Sequence, residues 1–473
     1  MKAVAVEKAF AMAKAHGQEH VFKYWSELDE KKRANLIDQF SSIDLDLISE
    51  LTKRYITGSE STTSPGELEP ADIIPVPQTE AQHAEARRAR MVGEELLRDG
   101  KVGVILVAGG QGTRLGFEGP KGKMPIGPVS HKSIFELHAE KIRALIRKYR
   151  QPLPWFIMTS RVNDDETKKF FHRHDYFGLE KTDVTFFQQS MIPAVNADGK
   201  LILDSDDHIF QNPDGHGGTL FALEKSGALN MIQSRGIETL FYYQVDNVLI
   251  NICDPCFLGY HILANAEMSA KVTPKRDPYE KVGVIGKVDG RTTVIEYSDL
   301  SKRDMEARTP EGELKYNGGS IAIHAIDVDF IEKIVSGDIE LPFHKAFKKI
   351  PYYDEHKGTV IPEKPNGYKF EMFIFDALPL ADKTAVMEVK RNDEFSPVKN
   401  ASGEDSPDTA KRDLVNYHGR MLKQAGVDVP FDEKGNVVGS VEISSLYAMD
   451  AQELRAKIAQ DLVFTDHLYL ASH

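Results

Sequence analysis

The chain has 473 residues, 41 % of them hydrophobic and 28 % charged, and carries a formal net charge of −13. A single compact core stops growing near roughly 250–300 residues, so this length calls for roughly two to four domains with ample apolar content to bury. The acid excess argues against a general nucleic-acid binder, no apolar run approaches the roughly 20 residues of a membrane-spanning helix, and no secretory signal opens the chain, so a cytoplasmic protein without nucleic-acid or membrane partners is the expectation.

Through the first 55 residues, apolar positions recur at three- and four-residue spacing in VEKAFAMAKAHGQEHVFKYW and again in KKRANLIDQF, which predicts helices, with Asp29 as N-cap of the second. Residues 56–79, ITGSESTTSPGELEPADIIPVPQT, are rich in Ser, Thr, Pro and Gly and read as a linker or surface wrap. From Glu80 onward the pattern alternates: strand VGVILVA (102–108), helix SIFELHAEKIRALIRKY, strand WFIMTS (155–160), helix DDETKKFFHRH, strand VTFFQQ (184–189), and a further buried strand TLFYYQVDN that ends near Asp246. Ser133 with Glu136 three residues on is a capping-box signature for the first of these helices. The rhythm predicts an α/β fold: a mixed, mostly parallel, Rossmann-like sheet flanked by helices.

Farther on, VGVIGKVDGRTTVIEY places Asp289-Gly290 between two β-rich runs and predicts an antiparallel hairpin able to wall a pocket beside the sheet. FEMFIFDALPLA (370–381) reads as helix, TAVMEVKR (384–391) as strand and FSPVKNASGEDSPDTA as loop, followed by a small α+β region. The expected division is a helical region and linker over 1–79, a central domain over 80–395 and a small C-terminal domain over 396–473. The cysteines, Cys253 and Cys256, form one C-x-x-C. No second pair exists to complete a zinc site, and Pro255 sets them in a turn-like stretch rather than at a helix start, so both are read as structural.

The stretch VILVAGGQGTRLGFEGPKGKMPIG (104–127) mixes glycines with cations. GGQGTRLG follows a buried strand directly, where open α/β sheets place their ligands. Gly109, Gly110 and Gly112 can take positive φ and leave N–H groups unshielded, as phosphate-cradling loops do. The P-loop pattern G-x-x-x-x-G-K-S/T is absent, and the dinucleotide fingerprint would need a glycine where Leu115 stands. Arg114 adds a bidentate charged fork and Lys121 a point charge, a local basic cluster suited to a triphosphate in an otherwise acidic protein. Asp246, leaving the same sheet edge, is a candidate to hold Mg²⁺ against phosphate oxygens.

AGGQGTRLG followed by PKG, then FFQQ, PDGHGG, QVDN, IEYSDL, KPNGYKFE and EFSPVKN, all in order, resemble the eukaryotic-type UDP-N-acetylhexosamine pyrophosphorylases of the wider UDP-sugar pyrophosphorylase superfamily. The resemblance extends to GQEHVFKYW near the N-terminus and fades only in the C-terminal tail. It implies a nucleotidyltransferase domain in which UTP and a hexose 1-phosphate give a UDP-sugar and pyrophosphate, with Mg²⁺. By resemblance, Val107, Ala108, Gly109 and Gly110 hold the uridine and phosphates, Arg114 and Lys121 act on the UTP phosphates, and Gln189 and Gly215 meet the uracil side. Asp246 takes the metal beside the nucleotide, Glu296 and Tyr297 bond the sugar hydroxyls, Lys369 reaches the nucleotide phosphates, and Lys399 binds the incoming sugar phosphate.

Two positions depart from that pattern. Where the family reads N-G-G this chain has His216-Gly217-Gly218, as in the G-H-G of glucose-type relatives, and the family's A-G-N is Gly318-Gly319-Ser320. His216 and Ser320 thus take the places of sugar-contacting asparagines. N-acetylglucosamine 1-phosphate is the substrate implied; glucose 1-phosphate or a broad sugar range is the alternative that these two residues favour. Glucose-type relatives assemble through a C-terminal β-helix of short apolar repeats, and the tail from Val415 has no such period, so a monomer or small homo-oligomer is expected.

Overall fold

The computed structural model describes residues 3–58, 66–459 and 461–472. The chain folds as two units, a smaller one of Met1–Pro65, Gln189–Thr219 and Leu341–Ile374, and a larger one of Gly66–Gln188, Leu220–Glu340 and Phe375–His473. Boundaries drawn after 79 and 395 do not follow these units. The reason is the core of the smaller unit, where Val21, Phe22, Leu36, Phe40, Ile48 and Leu51 from the N-terminal helices pack with Ile192, Val195, Leu201, Ile209 and Phe370. Short amphipathic helices draw most of their stability from burying one face, and here the covering residues come from two distant segments. Asp29 caps the Glu30–Ser41 helix as expected, its carboxylate accepting from the Lys32 N–H at 2.8 Å.

In the larger unit, eight strands form the main path of a sheet: β1 (Ile73–Ile74), β2 (Val102–Val107), β3 (Trp155–Thr159), β4 (Val184–Gln188), β5 (Thr239–Gln244), β6 (Met268–Pro274), β7 (Gly318–Asp327) and β8 (Thr384–Glu388). They lie in the order β1-β8-β6-β7-β5-β2-β3-β4. β7 runs against both neighbours, and every other pair along this path is parallel. The unbroken apolar runs of β2, β3 and β5 are buried, as strands covered on both faces must be. Part of the segment read as a linker belongs to this sheet: Ile73–Ile74 is its edge strand and Leu68–Pro70 pairs with Val284–Val288, while residues 59–65 lie outside the described residues. The hairpin of Val284–Val288 and Arg291–Ile295 turns at Asp289 (φ 51°) and Gly290 (φ 77°), the paired positive φ of a type I′ turn, and joins β7 through Val284 and Gly319.

The covering helices include α1 (Glu80–Arg98), α2 (Ile134–Tyr149), α3 (Asp164–Arg173), α4 (Pro255–Leu263) and α5 (Pro407–Ala425). Helix α1 begins with a capping box between Thr79 and Gln82. Its backbone touches that of α4, because a side chain at Gly93 would start 1.9 Å from the Pro255 carbonyl and one at Gly259 would start 1.7 Å from that of Ala89. The C-x-x-C does open a helix, contrary to the sequence reading: Asp254 is the N-cap, accepting from the Cys256 N–H at 3.0 Å, and Pro255 occupies the first turn, where its missing N–H costs nothing. Both thiols are free, and burial pushes that of Cys256 up to about 12, so neither is a thiolate at neutral pH.

Residues 370–381 are not one helix. Gly367–Met372 is a strand paired with Phe343–Lys348, and only Ile374–Leu380 is helical, as a 3₁₀ turn containing Pro379. The C-terminal region packs α5 against the parallel pair Ser440–Ile443 and His467–Leu470 around Leu422, Val441 and Leu454, inside the larger unit.

Candidate active site

β2 ends at Val107, and Ala108 extends it by donating its N–H to the Met158 carbonyl at 2.8 Å. The glycine loop then closes on itself through Gly112 N–H to Gly119 O (2.9 Å) and Lys121 N–H to Gly110 O (3.1 Å). Its positive φ values fall at Gly116 (69°) and Gly119 (102°), not at Gly109, Gly110 or Gly112 as the composition suggested. Gly112 is needed for space instead, since a Cβ there would sit 2.7 Å from the Phe117 carbonyl. Among the described residues no backbone carbonyl takes the N–H of Gly109 or Gly110.

The residue that fixes this loop escaped sequence reasoning. Asn163, fully buried, donates from Nδ2 to the carbonyls of Ala108 (2.9 Å) and Gly110 (3.4 Å), and its Oδ1 accepts from the Ser160 N–H (2.8 Å). It stands at the N-cap position of α3 yet spends its side chain on the loop rather than on the helix.

Lys121 points from the loop toward Asp246, with Nζ 3.8 Å from Oδ2 and both side chains largely buried. Asp246 lies just past β5, which the Val245 N–H ties to the Val107 carbonyl (3.0 Å), and its own carbonyl accepts from the Val398 N–H (3.0 Å). Lys399 therefore follows directly on a backbone contact with Asp246; it is exposed, with Nζ 5.7 Å from the centre of the Phe395 ring. Arg114 is exposed on the Thr113–Leu115 turn and makes no ion pair among the described residues. Lys123, in the same stretch, is already paired with Glu166 over the Phe170 ring. Ser320 donates its N–H to the Gly283 carbonyl (2.8 Å), and Glu296 Oε1 lies 3.4 Å from where a Gly283 side chain would begin, so the structure brings Ser320 and Glu296 to one spot at the hairpin's foot. Tyr297, the next residue, is 40 % exposed.

The remaining candidates belong to the smaller unit. Gln189 donates from Nε2 to the Gly215 carbonyl at 2.7 Å. Gly215 has φ 88°, and a Cβ on it would lie 2.2 Å from the Met372 carbonyl. His216 accepts the Ile374 N–H at Nδ1 (3.1 Å), which places its proton on Nε2, and its ring stacks on Phe373 at 5.4 Å. Burial pushes its pKa down to about 4, so it is neutral at physiological pH. Lys369, on the Gly367–Met372 strand, holds Nζ 5.0 Å from the centre of the Phe210 ring.

Among the described residues no group of three or more His, Cys, Asp and Glu is placed to hold a metal. The Asp246 carboxylate beside Lys121 suits a hard cation that completes its shell with phosphate oxygens and water rather than a caged site. No helix among the described residues is long and apolar enough to cross a membrane.

The chain is 38 % identical to a UDP-N-acetylhexosamine pyrophosphorylase-like protein 1 of Homo sapiens, over 87 % of this chain and 84 % of that protein, and 38 % identical to a UDP-N-acetylglucosamine diphosphorylase 2 of Arabidopsis thaliana, over 94 % and 90 %. The crystal structure of the uridine diphosphate N-acetylglucosamine pyrophosphorylase from Trypanosoma brucei superposes with a TM-score of 0.82 at 27 % identity, covering 99 % of this chain and 98 % of that one. The UTP–glucose-1-phosphate uridylyltransferase family matches residues 46–450, and with the glycine loop, Lys121 and Asp246 set at the ends of adjacent parallel strands, the chain belongs to that family.

Proposed function

We propose that the protein is a uridylyltransferase that makes a UDP-sugar and pyrophosphate from UTP and a hexose 1-phosphate, N-acetylglucosamine 1-phosphate first among them. The observation that carries the reading is the pairing of Lys121 with Asp246 beside a glycine loop in which, among the described residues, no backbone carbonyl takes the N–H of Gly109 or Gly110, at the ends of parallel strands β2 and β5. A phosphate oxygen of the sugar phosphate attacks the α-phosphorus of UTP in line, the bond to the β-phosphate breaks, and pyrophosphate leaves. The nucleophile is already ionised, so no general base is required, and the barrier lies in bringing two anions together.

Each residue answers part of that demand. The N–H groups of Gly109 and Gly110 and the cations of Arg114 and Lys121 would neutralise the triphosphate, with Val107 and Ala108 forming the strand end beneath it. Lys399 would draw in the sugar phosphate, and Lys369 would add a further cation to the nucleotide. Gln189, having spent one N–H on Gly215, keeps its amide oxygen and second N–H for the donor and acceptor of a uracil edge. Glu296, Tyr297, His216 and Ser320 would meet the sugar. Asp246 would hold Mg²⁺, which when bound supplies charge neutralisation on the phosphate oxygens.

Glucose 1-phosphate, or a broad sugar range, is the second reading, favoured by His216 and Ser320 in place of amides that could meet an acetamido group. A monomer or small homo-oligomer acting on small molecules alone, without nucleic acid or membrane, completes the proposal. Purified protein incubated with UTP, Mg²⁺ and each hexose 1-phosphate in turn should release pyrophosphate, fastest with N-acetylglucosamine 1-phosphate. Release no faster than in enzyme-free controls with every sugar would sink the reading.

A further inference from the structure

The segment Glu394–Lys399 has no strand ladder of its own, yet it runs against the end of β5. β5 stops at Gln244, and from there a side chain takes over the role of backbone. Asn247, 3 % exposed, donates from Nδ2 to the Glu394 carbonyl (2.7 Å) and accepts at Oδ1 from the Ser396 N–H (3.0 Å). An asparagine amide carries the same donor and acceptor as a peptide unit, so it continues the pairing that the strand no longer provides. Two backbone bonds flank it, Val248 N–H to Ser396 O (3.3 Å) and Val398 N–H to Asp246 O (3.0 Å).

The two sides of this clamp are not equally secured. Asp246 and Asn247 are anchored from behind: Val245 is bonded to β2, His138 Nε2 donates to the Asn247 carbonyl (3.2 Å), and Lys141 Nζ donates to the carbonyls of Val248 and Ile250 (2.8 Å each). On the other side, Glu394 is pinned through its carboxylate to the buried ammonium of Lys271 (2.6 Å), which also bonds Asp254 (2.8 Å). Beyond Glu394 the path to Lys399 is held by Asn247, the two flanking backbone bonds, the Ser396 hydroxyl on Asp413, the burial of Val398 and the Lys399 N–H on the Asp405 carbonyl (2.6 Å). Among the described residues only Asn247 and its flanking bonds tie this segment to Asp246, since the Asp405 contact holds Lys399 from the other side, so loosening the clamp should change the spacing of Lys399 from Asp246 while Asp246 keeps its own anchors.

We infer that Asn247 is a positioning residue that sets where Lys399 stands relative to Asp246, and through it the capture of the sugar phosphate. The inference rests on the proposed uridylyltransferase activity. Its test is steady-state kinetics of Asn247→Ala and Asn247→Asp with both substrates varied, together with thermal unfolding and calorimetric binding of UTP alone. Asn247→Asp keeps the volume and the acceptor for Ser396 but loses the donor to Glu394, so it serves where Asn247→Ala does not fold. The expected result is a KM for the hexose 1-phosphate raised at least about tenfold in Asn247→Ala and less in Asn247→Asp, with UTP affinity within about twofold of wild type. A fall in kcat with both KM values unchanged, or an equal rise in both, would assign Asn247 to the fold alone and overturn the inference. Wild-type protein that releases no pyrophosphate from any hexose 1-phosphate removes the activity itself, a different failure seen before any variant is made.

Discussion

The two units hold their candidate residues by different physical means. In the larger unit, Lys121, Arg114 and Lys399 are long cations on loops, and what fixes them is hydrogen bonding beneath: Asn163 on the glycine loop, Asn247 on the Lys399 segment. In the smaller unit, the Gly215–Gly218 turn also has hydrogen bonds, from Gln189 and Ile374, but its close contacts set it by exclusion of volume. A Cβ at Gly215 would lie 2.2 Å from the Met372 carbonyl, one at Gly217 2.8 Å from Met372 and Phe373 backbone atoms, and one at Gly218 2.2 Å from the Asp214 carboxylate. At its cations, though not at Gly112, the first arrangement should tolerate a change of volume and fail on charge. The second should tolerate charge and fail on a single methyl group.

The largest effect should come from that methyl group. Gly215→Ala adds both a strained positive φ and a collision with a backbone carbonyl that has no rotamer to move, an expected loss on the order of 3–5 kcal/mol. The thermal midpoint should fall by several degrees and activity with it; an unchanged midpoint would break the contrast drawn above. Next stand the cations. Removing one preorganised charge contact typically costs on the order of 100- to 1000-fold in rate. Lys399→Ala should lose about that much in kcat/KM for the hexose 1-phosphate while UTP binding survives, whereas Lys121→Ala should weaken the nucleotide side, and neither should shift the thermal midpoint appreciably. Unchanged kinetics in Lys121→Ala would remove that lysine from the site.

Acid should act through buried histidines in both units. Burial, with Lys141 nearby, pushes His138 down to about 3, burial pushes His418 down to about 3, and His216 falls to about 4. Each is neutral in the fold while the unfolded chain takes up a proton near its ordinary value of about 6.5, so stability is complete above that pH and is lost as pH falls from there toward 4 and then 3. For His138 and His418 the loss by pH 5 should be on the order of 1–2 kcal/mol each, read as a lower urea midpoint at pH 5 than at pH 7. His138→Gln should flatten that slope; an identical slope would show that His138 does not contribute to it.

The contrast between the units also explains which features the sequence made legible. Buried parallel strands leave unbroken apolar runs, so β2, β3 and β5 could be placed to within a residue or two, and Asp289-Gly290 marked its hairpin. The candidates Arg114 and Lys121 stood out because cations among glycines in an acidic chain are conspicuous. Asn163 and Asn247 left no such mark: each is a single polar residue whose partners are backbone atoms, and a carbonyl has no letter in the sequence. Residues 370–381 misled because a short apolar run suits a strand and a helix equally well, and the choice was made by pairing with Phe343–Lys348. Asp254-Pro255 was a readable helix start, obscured by attention to the cysteines on either side.

The smallest expected effect concerns the sugar, and it separates the two units most finely. His216 is a stacked, neutral ring whose Nδ1 is committed to Ile374, whereas Ser320 is a short hydroxyl residue on β7 whose backbone is committed to Gly283. His216→Asn would restore an amide in a turn where the histidine now packs on Phe373, so the gain of a partner for an acetamido group is offset by lost stacking. Ser320→Asn sacrifices no ring contact and adds the amide beside Glu296. A hydrogen bond gained in such a setting is worth about 0.5–1.5 kcal/mol, roughly three- to tenfold. Ser320→Asn should therefore raise the ratio of kcat/KM for N-acetylglucosamine 1-phosphate over glucose 1-phosphate by about that factor, and His216→Asn by less. If His216→Asn gives the larger shift, the smaller unit's turn chooses the sugar by chemistry as well as by volume, and the contrast between the two units narrows to the glycines alone.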